Sequence, residues 1–171
     1  MKGIILQPIV CILLALLTGA WSHLPPVQKR PDFSGTWIED EAQRKSPYAA
    51  PAAGGAKAVA GPPPDVIITQ TAGQITIDIK FMSGNRYIYD LDGKQSVNRN
   101  GAMTATTKSR WEGARLITEG TKFQVTSQGE ASWTFKEVRW LTPREEMAVD
   151  TTMTDEDGDA KTVHQVFKRK R

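Results

Sequence analysis

The sequence predicts an all-β protein, an antiparallel up-and-down β-barrel of eight to nine strands, and three observations carry that prediction. Apolar residues recur at every second position in one stretch after another, as in "QITIDIKF". Turn signals of the Asp-Gly and Glu-Gly kind punctuate these stretches. The connections after position 64 are short, so neighbours in sequence pair antiparallel, and a long meander loses its two unpaired edges by closing on itself.

The first element, residues 33–39 within "PDFSGTWIED", puts Phe33, Gly35 and Trp37 at alternate positions. "DVIITQ" (65–70) and "QITIDIKF" (74–81) follow, joined by a tight turn around Ala72 and Gly73. In the latter, Ile75, Ile77, Ile79 and Phe81 share one face while Thr76, Asp78 and Lys80 share the other, the period of a half-buried strand. "RYIYDL" (86–91) aligns Tyr87, Tyr89 and Leu91 and runs into Asp92-Gly93. Segments 102–111 and 114–121 flank a turn at Glu112-Gly113. Segments 131–141, 147–154 and 161–169, the last two separated by a turn at Asp157-Gly158, bring the number to nine. Thr142-Pro143-Arg144-Glu145 has the form of a helix capping box, but the β-branched run "MAVDTTMT" behind it makes a hairpin loop the expected outcome.

The remaining chain divides simply. With 171 residues, 39% of them hydrophobic, the protein suits one globular domain able to bury its own core. Residues 1–22 read as a secretory signal: Lys2 gives a positive start, 9–17 an apolar run, and small residues around Ala20 and Ser22 two cleavage choices. That run is short of the ~18 to 20 apolar residues a membrane span requires, and Pro8 and Gly19 bracket it. The mature domain, 23–171, is therefore expected to be periplasmic or secreted with no stable membrane anchor. Cys11, the only cysteine, leaves with the leader, so neither a disulfide nor thiol chemistry is expected. Within the domain, about 41–64 reads as a flexible loop, since all but Tyr48, Lys57 and Val59 of residues 47–64 are Ala, Gly or Pro. It is either disordered or a lid across a cavity mouth.

Composition excludes some functions and names none. A formal charge of +3, reduced to +2 without Lys2, is too mild for a nucleic-acid binder. The two histidines, His23 and His164, form no metal-binding pair, no G-x-S-x-G turn is present, and no cofactor is expected. "TDEDGDA" departs from a calcium loop in its glycine position and reads as a hairpin turn. What a barrel does offer is an interior. Tyr87, Tyr89, Met103, Trp111, Trp133 and Phe135 are its candidate lining, giving an apolar pocket for a small hydrophobic molecule or simply a filled core.

"DFSGTW" is similar to the opening motif of lipocalins and the wider calycin superfamily, F-x-G-x-W at the start of the first barrel strand. The layout resembles small exported bacterial lipocalin-like proteins that begin P-D-F-S-G-T-W behind a leader and end on a V-[FY]-x-R strand, here Val166-Phe167-Lys168-Arg169. The second lipocalin motif, a T-D-aromatic turn, has no counterpart. The resemblance implies a tryptophan plug at the closed end of the barrel, built from Phe33, Gly35 and Trp37, with Arg169 over the Trp37 indole. It also implies one of two roles: a non-catalytic carrier of a small hydrophobic molecule, or a protein-interaction module such as an exported enzyme inhibitor.

Overall fold

The computed structural model describes residues 29–45, 63–80, 84–127 and 129–171. The expected leader with Cys11, the Tyr48 stretch and Phe81 lie outside these residues. Ten strands form one antiparallel sheet: β1 (Gly35–Glu39), β2 (Asp65–Gln70), β3 (Gln74–Lys80), β4 (Asn85–Asp90), β5 (Gln95–Asn100), β6 (Met103–Glu112), β7 (Arg115–Thr126), β8 (Gly129–Leu141), β9 (Met147–Thr154) and β10 (Ala160–Arg169).

Each strand pairs with its sequence neighbour except at one step, and β1 pairs with β10, Trp37 standing opposite Arg169. The result is an up-and-down, nearly closed barrel. Alternation sets the inside: Val66, Ile68, Ile75, Ile77, Tyr89, Leu116, Met147, Val149 and Phe167 make one buried cluster with Phe33 and Trp37. The capping-box stretch is a hairpin turn, in which the Thr142 hydroxyl accepts from the amides of Arg144 (3.3 Å) and Glu146 (3.2 Å).

The exceptional step is β4 to β5, where no backbone ladder runs among the described residues. Side chains of β5 stand in for the missing strand contacts. Asn98 accepts from the Ile88 amide at 2.7 Å and donates to the Ile88 carbonyl at 2.9 Å. Asn100 repeats this double contact on Arg86 at 3.2 and 3.1 Å, and the Ser96 hydroxyl accepts from the Asp90 amide at 2.9 Å. A carboxamide presents the donor and acceptor of a peptide group, so alternate asparagines on one face can cap a strand edge two residues at a time.

That seam explains the strand that corrects the expected count of eight to nine. "QSVNRN" shows no apolar alternation because its inward positions carry Ser96, Asn98 and Asn100, whose partners are backbone groups of β4. Two boundaries move as well. β7 continues to Thr126, past the expected end at Thr121, in a long hairpin with β8, while Phe33 lies before β1 and not within it.

Candidate functional site

The two ends of the barrel are built differently, which decides where a molecule fits. At the end where β1 begins, Trp37 is wholly buried and its indole N–H donates to the Phe33 carbonyl at 2.8 Å. Phe33, also wholly buried, stacks on Trp111 with ring centres 5.9 Å apart and planes 4° from parallel. The Arg169 guanidinium lies 4.4 Å from the Trp37 ring centre and donates to the Ser34 carbonyl. Gly35 has φ of +134°, and a Cβ there would run into that guanidinium. Gln70 ties the incoming segment down: its side-chain amide accepts from the Phe33 amide at 3.1 Å and donates to the Pro31 carbonyl at 2.9 Å. This end is filled.

Further along the interior, beneath the mouth, a cavity of about 310 Å³ remains. One wall is apolar, made by Val66, Ile77, Ile79, Val149 and Phe167. The other carries charge. The Arg139 side chain is only 7% exposed and donates from Nη2 to Glu137 at 2.5 Å, and from Nη1 to the Met147 sulfur at 3.8 Å. Its Nε has no partner. Burying a guanidinium N–H without an acceptor is costly, which makes this donor the most unusual feature of the cavity.

The mouth owes its polar rim to a local detour. After β1 the chain makes a 3₁₀ turn over Glu41–Gln43, capped by the Asp40 carboxylate accepting from the Ala42 amide at 3.2 Å. It then rejoins β10, Lys45 and His164 exchanging backbone hydrogen bonds of 2.9 and 2.8 Å. The detour leaves Arg44 2.9 Å from Glu39, which also accepts from Gln165 at 3.0 Å. Two of the three carboxylates that line the cavity, Glu39 and Glu137, are therefore already engaged by donors, Glu41 being the third.

The residues expected to line a pocket are dispersed. None of the six is among the lining residues of the 310 Å³ cavity. Tyr87 and Tyr89 stack on each other inside β4, ring centres 6.1 Å apart. Burial, reinforced by the charge of Glu137, pushes the Tyr89 hydroxyl well above the ordinary phenol range. Trp111 is occupied by Phe33 at the filled end. Phe135 faces Gly120, where a Cβ would meet the Thr106 backbone, and the Lys122 ammonium sits 4.5 Å from the Phe135 ring centre. Burial holds the Lys122 pKa below its usual value. Met103 is half-buried at the start of β6. Trp133 faces a second recess of about 430 Å³ beside the acidic turn of Asp155 and Asp157. That recess is wider open to solvent than the lumen cavity, so a molecule in it would stay largely hydrated, and the smaller, more enclosed cavity is the better site.

His164 is on the outer wall, its Nδ1 2.6 Å from Asp150 and its ring 6.1 Å from Trp140. The residues that sequence reasoning passed over are Glu137 and Arg139. Their signal was present: in "WTFKEVRW" they share parity with Trp133 and Phe135, which places two charges on the face of two inward aromatics.

No protein-family model matches the chain, and no curated protein is similar to it.

Proposed function

We propose that this protein is an exported, non-catalytic barrel of the lipocalin-like kind, and that it holds a small, mainly apolar molecule in its lumen. The observation that carries the reading is the partly enclosed cavity of about 310 Å³ between a filled end and a polar mouth, a volume at the lower limit of small-molecule sites. The apolar wall supplies the driving force, and the buried charges fix orientation. Export rests on the leader-like composition of residues 1–22, and the family reading on the F-x-G-x-W opening met by an arginine of the last strand.

Native mass spectrometry of the chain purified from its own exported fraction tests this, with an adduct of a few hundred daltons as the expected result. Ile77→Trp, which fills the cavity, should remove the adduct. A wild-type chain that carries none, and takes up none from a hydrophobic extract of the same fraction, overturns the reading.

A second reading, a protein-interaction module, is favoured by a different observation. Ile88, Val97, Phe123 and Val125 are large apolar side chains, each 38 to 49% exposed, all on β4, β5 and β7 and away from the β1–β10 closure. Such a surface would serve a partner whether or not the lumen is filled.

A further inference from the structure

Lys122 is set apart from the other lysines by its surroundings. Among the described residues every other lysine is exposed, and Lys122 alone is half-buried. Its side chain belongs to the inward face of β7, opposite Trp133 on β8 and Ala105 on β6. It leans over Phe135, the ring centre 4.5 Å from the ammonium, in space left open because the residue opposite Phe135 is Gly120. Among the described residues no carboxylate pairs with it, since Glu137, two residues beyond Phe135 on β8, is held by Arg139 at 2.5 Å. Burial therefore holds the Lys122 pKa below its usual value, against the weaker opposing pull of the Glu137 charge. A desolvated lysine keeps more of its amine neutral, and the neutral form has a lone pair to give. Across the ladder, the Trp133 indole N–H is buried and has no acceptor.

We infer that Lys122 is a capture site for small uncharged aldehydes, its amine forming an imine with the carbonyl carbon while Trp133 Nε1 donates to the carbonyl oxygen. The amine lone pair attacks the carbonyl carbon, the oxygen takes the proton that the nitrogen releases, and the carbinolamine loses water to leave a C=N bond. The carbonyl oxygen and both amine hydrogens depart as one water, so no oxidant or reductant is consumed. The neighbours Phe135, Trp133 and Ala105 are apolar, which favours a neutral aldehyde over a charged one and restricts the return of water to the imine. The step is a stoichiometric capture and not a turnover. It is independent of the 310 Å³ cavity, whose lining does not include Lys122.

Treating the purified chain at neutral pH with limiting butanal, fixing any imine with cyanoborohydride and mapping the label by peptide mass spectrometry tests the inference. Lys122 should carry severalfold more butyl label than the average exposed lysine, and more than it gains from glyoxylate, a charged aldehyde, under the same conditions. Trp133→Phe should slow that labelling severalfold and leave the exposed lysines unchanged. Lys122→Arg, which keeps the positive charge, should lose the fast-labelled fraction. Label that follows exposure, with Lys122 at or below the average, overturns the inference. Equal labelling of Lys122 by glyoxylate overturns the choice of an uncharged substrate, and unchanged labelling in Trp133→Phe removes the indole from the site.

Discussion

The barrel is joined in two places by different chemistry, and setting them side by side shows what closure requires. Between β1 and β10 the join is a short backbone ladder reinforced by Arg169 over Trp37 and by Lys170 on Asp65 at 2.8 Å. Between β4 and β5 there is no ladder, and three polar side chains of β5 satisfy the β4 backbone. The first join can bury large apolar groups behind it. At the second only β4 contributes a large buried group, Tyr89, because the inward positions of β5 are spent on hydrogen bonds, and Ile88 and Val97 stay exposed on the outside at 39% and 46%. Closure therefore needs satisfied backbone groups at both places but an apolar plug at only one.

The largest test of that contrast is Trp37→Ala, which empties a wholly buried site and should cost about 3 to 5 kcal/mol in denaturant melts. A cost under about 1 kcal/mol would mean the indole is no plug. Asn98→Leu comes next. Asn98 is 7% exposed, and its loss strands the amide and carbonyl of Ile88, so about 2 to 3 kcal/mol is expected. A neutral result would break the comparison, since the side-chain seam would then carry no weight.

Arg169→Ala should cost only about 1 kcal/mol, because the guanidinium is exposed and contributes chiefly cation–π attraction and packing. A double-mutant cycle with Trp37→Ala sharpens the point: a non-zero coupling energy is expected, and strict additivity would separate the two residues.

The smallest effect at neutral pH belongs to Tyr89→Phe, and it grows with alkali. Tyr89 has its folded pKa raised above the ordinary value of 10.0, so above that pH the unfolded chain loses a proton that the folded chain keeps. Stability should fall as pH rises past about 10 through this residue, and Tyr89→Phe should flatten that part of the decline in pH-dependent melts. Lys122 acts in the opposite direction. Its folded pKa is lowered from 10.5, so its contribution makes stability rise with pH below that value, and Lys122→Met should remove the rise.

How far the sequence disclosed all this depends on what each residue is paired with. Ile75, Ile77, Tyr87 and Tyr89 face other side chains across the core, so their alternation is visible in the chain itself. Ser96 and Asn98 face backbone, which leaves no mark on hydrophobic period, and β5 was invisible for that reason. The candidate site was harder still. Parity shows that Trp111 and Phe135 point inward, but not that one is consumed by Phe33 and the other by Gly120 and Lys122. Those assignments depend on barrel stagger, which no single strand encodes. Arg139 was within reach of the same parity argument and was missed because a charge in an inward register reads as surface until the neighbours are known.

The pairing of the first strand with the last also sets an order in time. Arg169 donates to a carbonyl 135 residues earlier in the chain, whereas β2 to β4 and β5 to β9 meet their partners within single hairpins. A ribosome delivers Trp37 long before the residue that covers it. Until β10 emerges, the half-built sheet has β1 and β9 as bare margins, and contacts of such high sequence separation are the slow ones to form. The barrel closes last where it is plugged, so the nascent chain must be kept from pairing with its own copies until the ten residues of β10 have arrived.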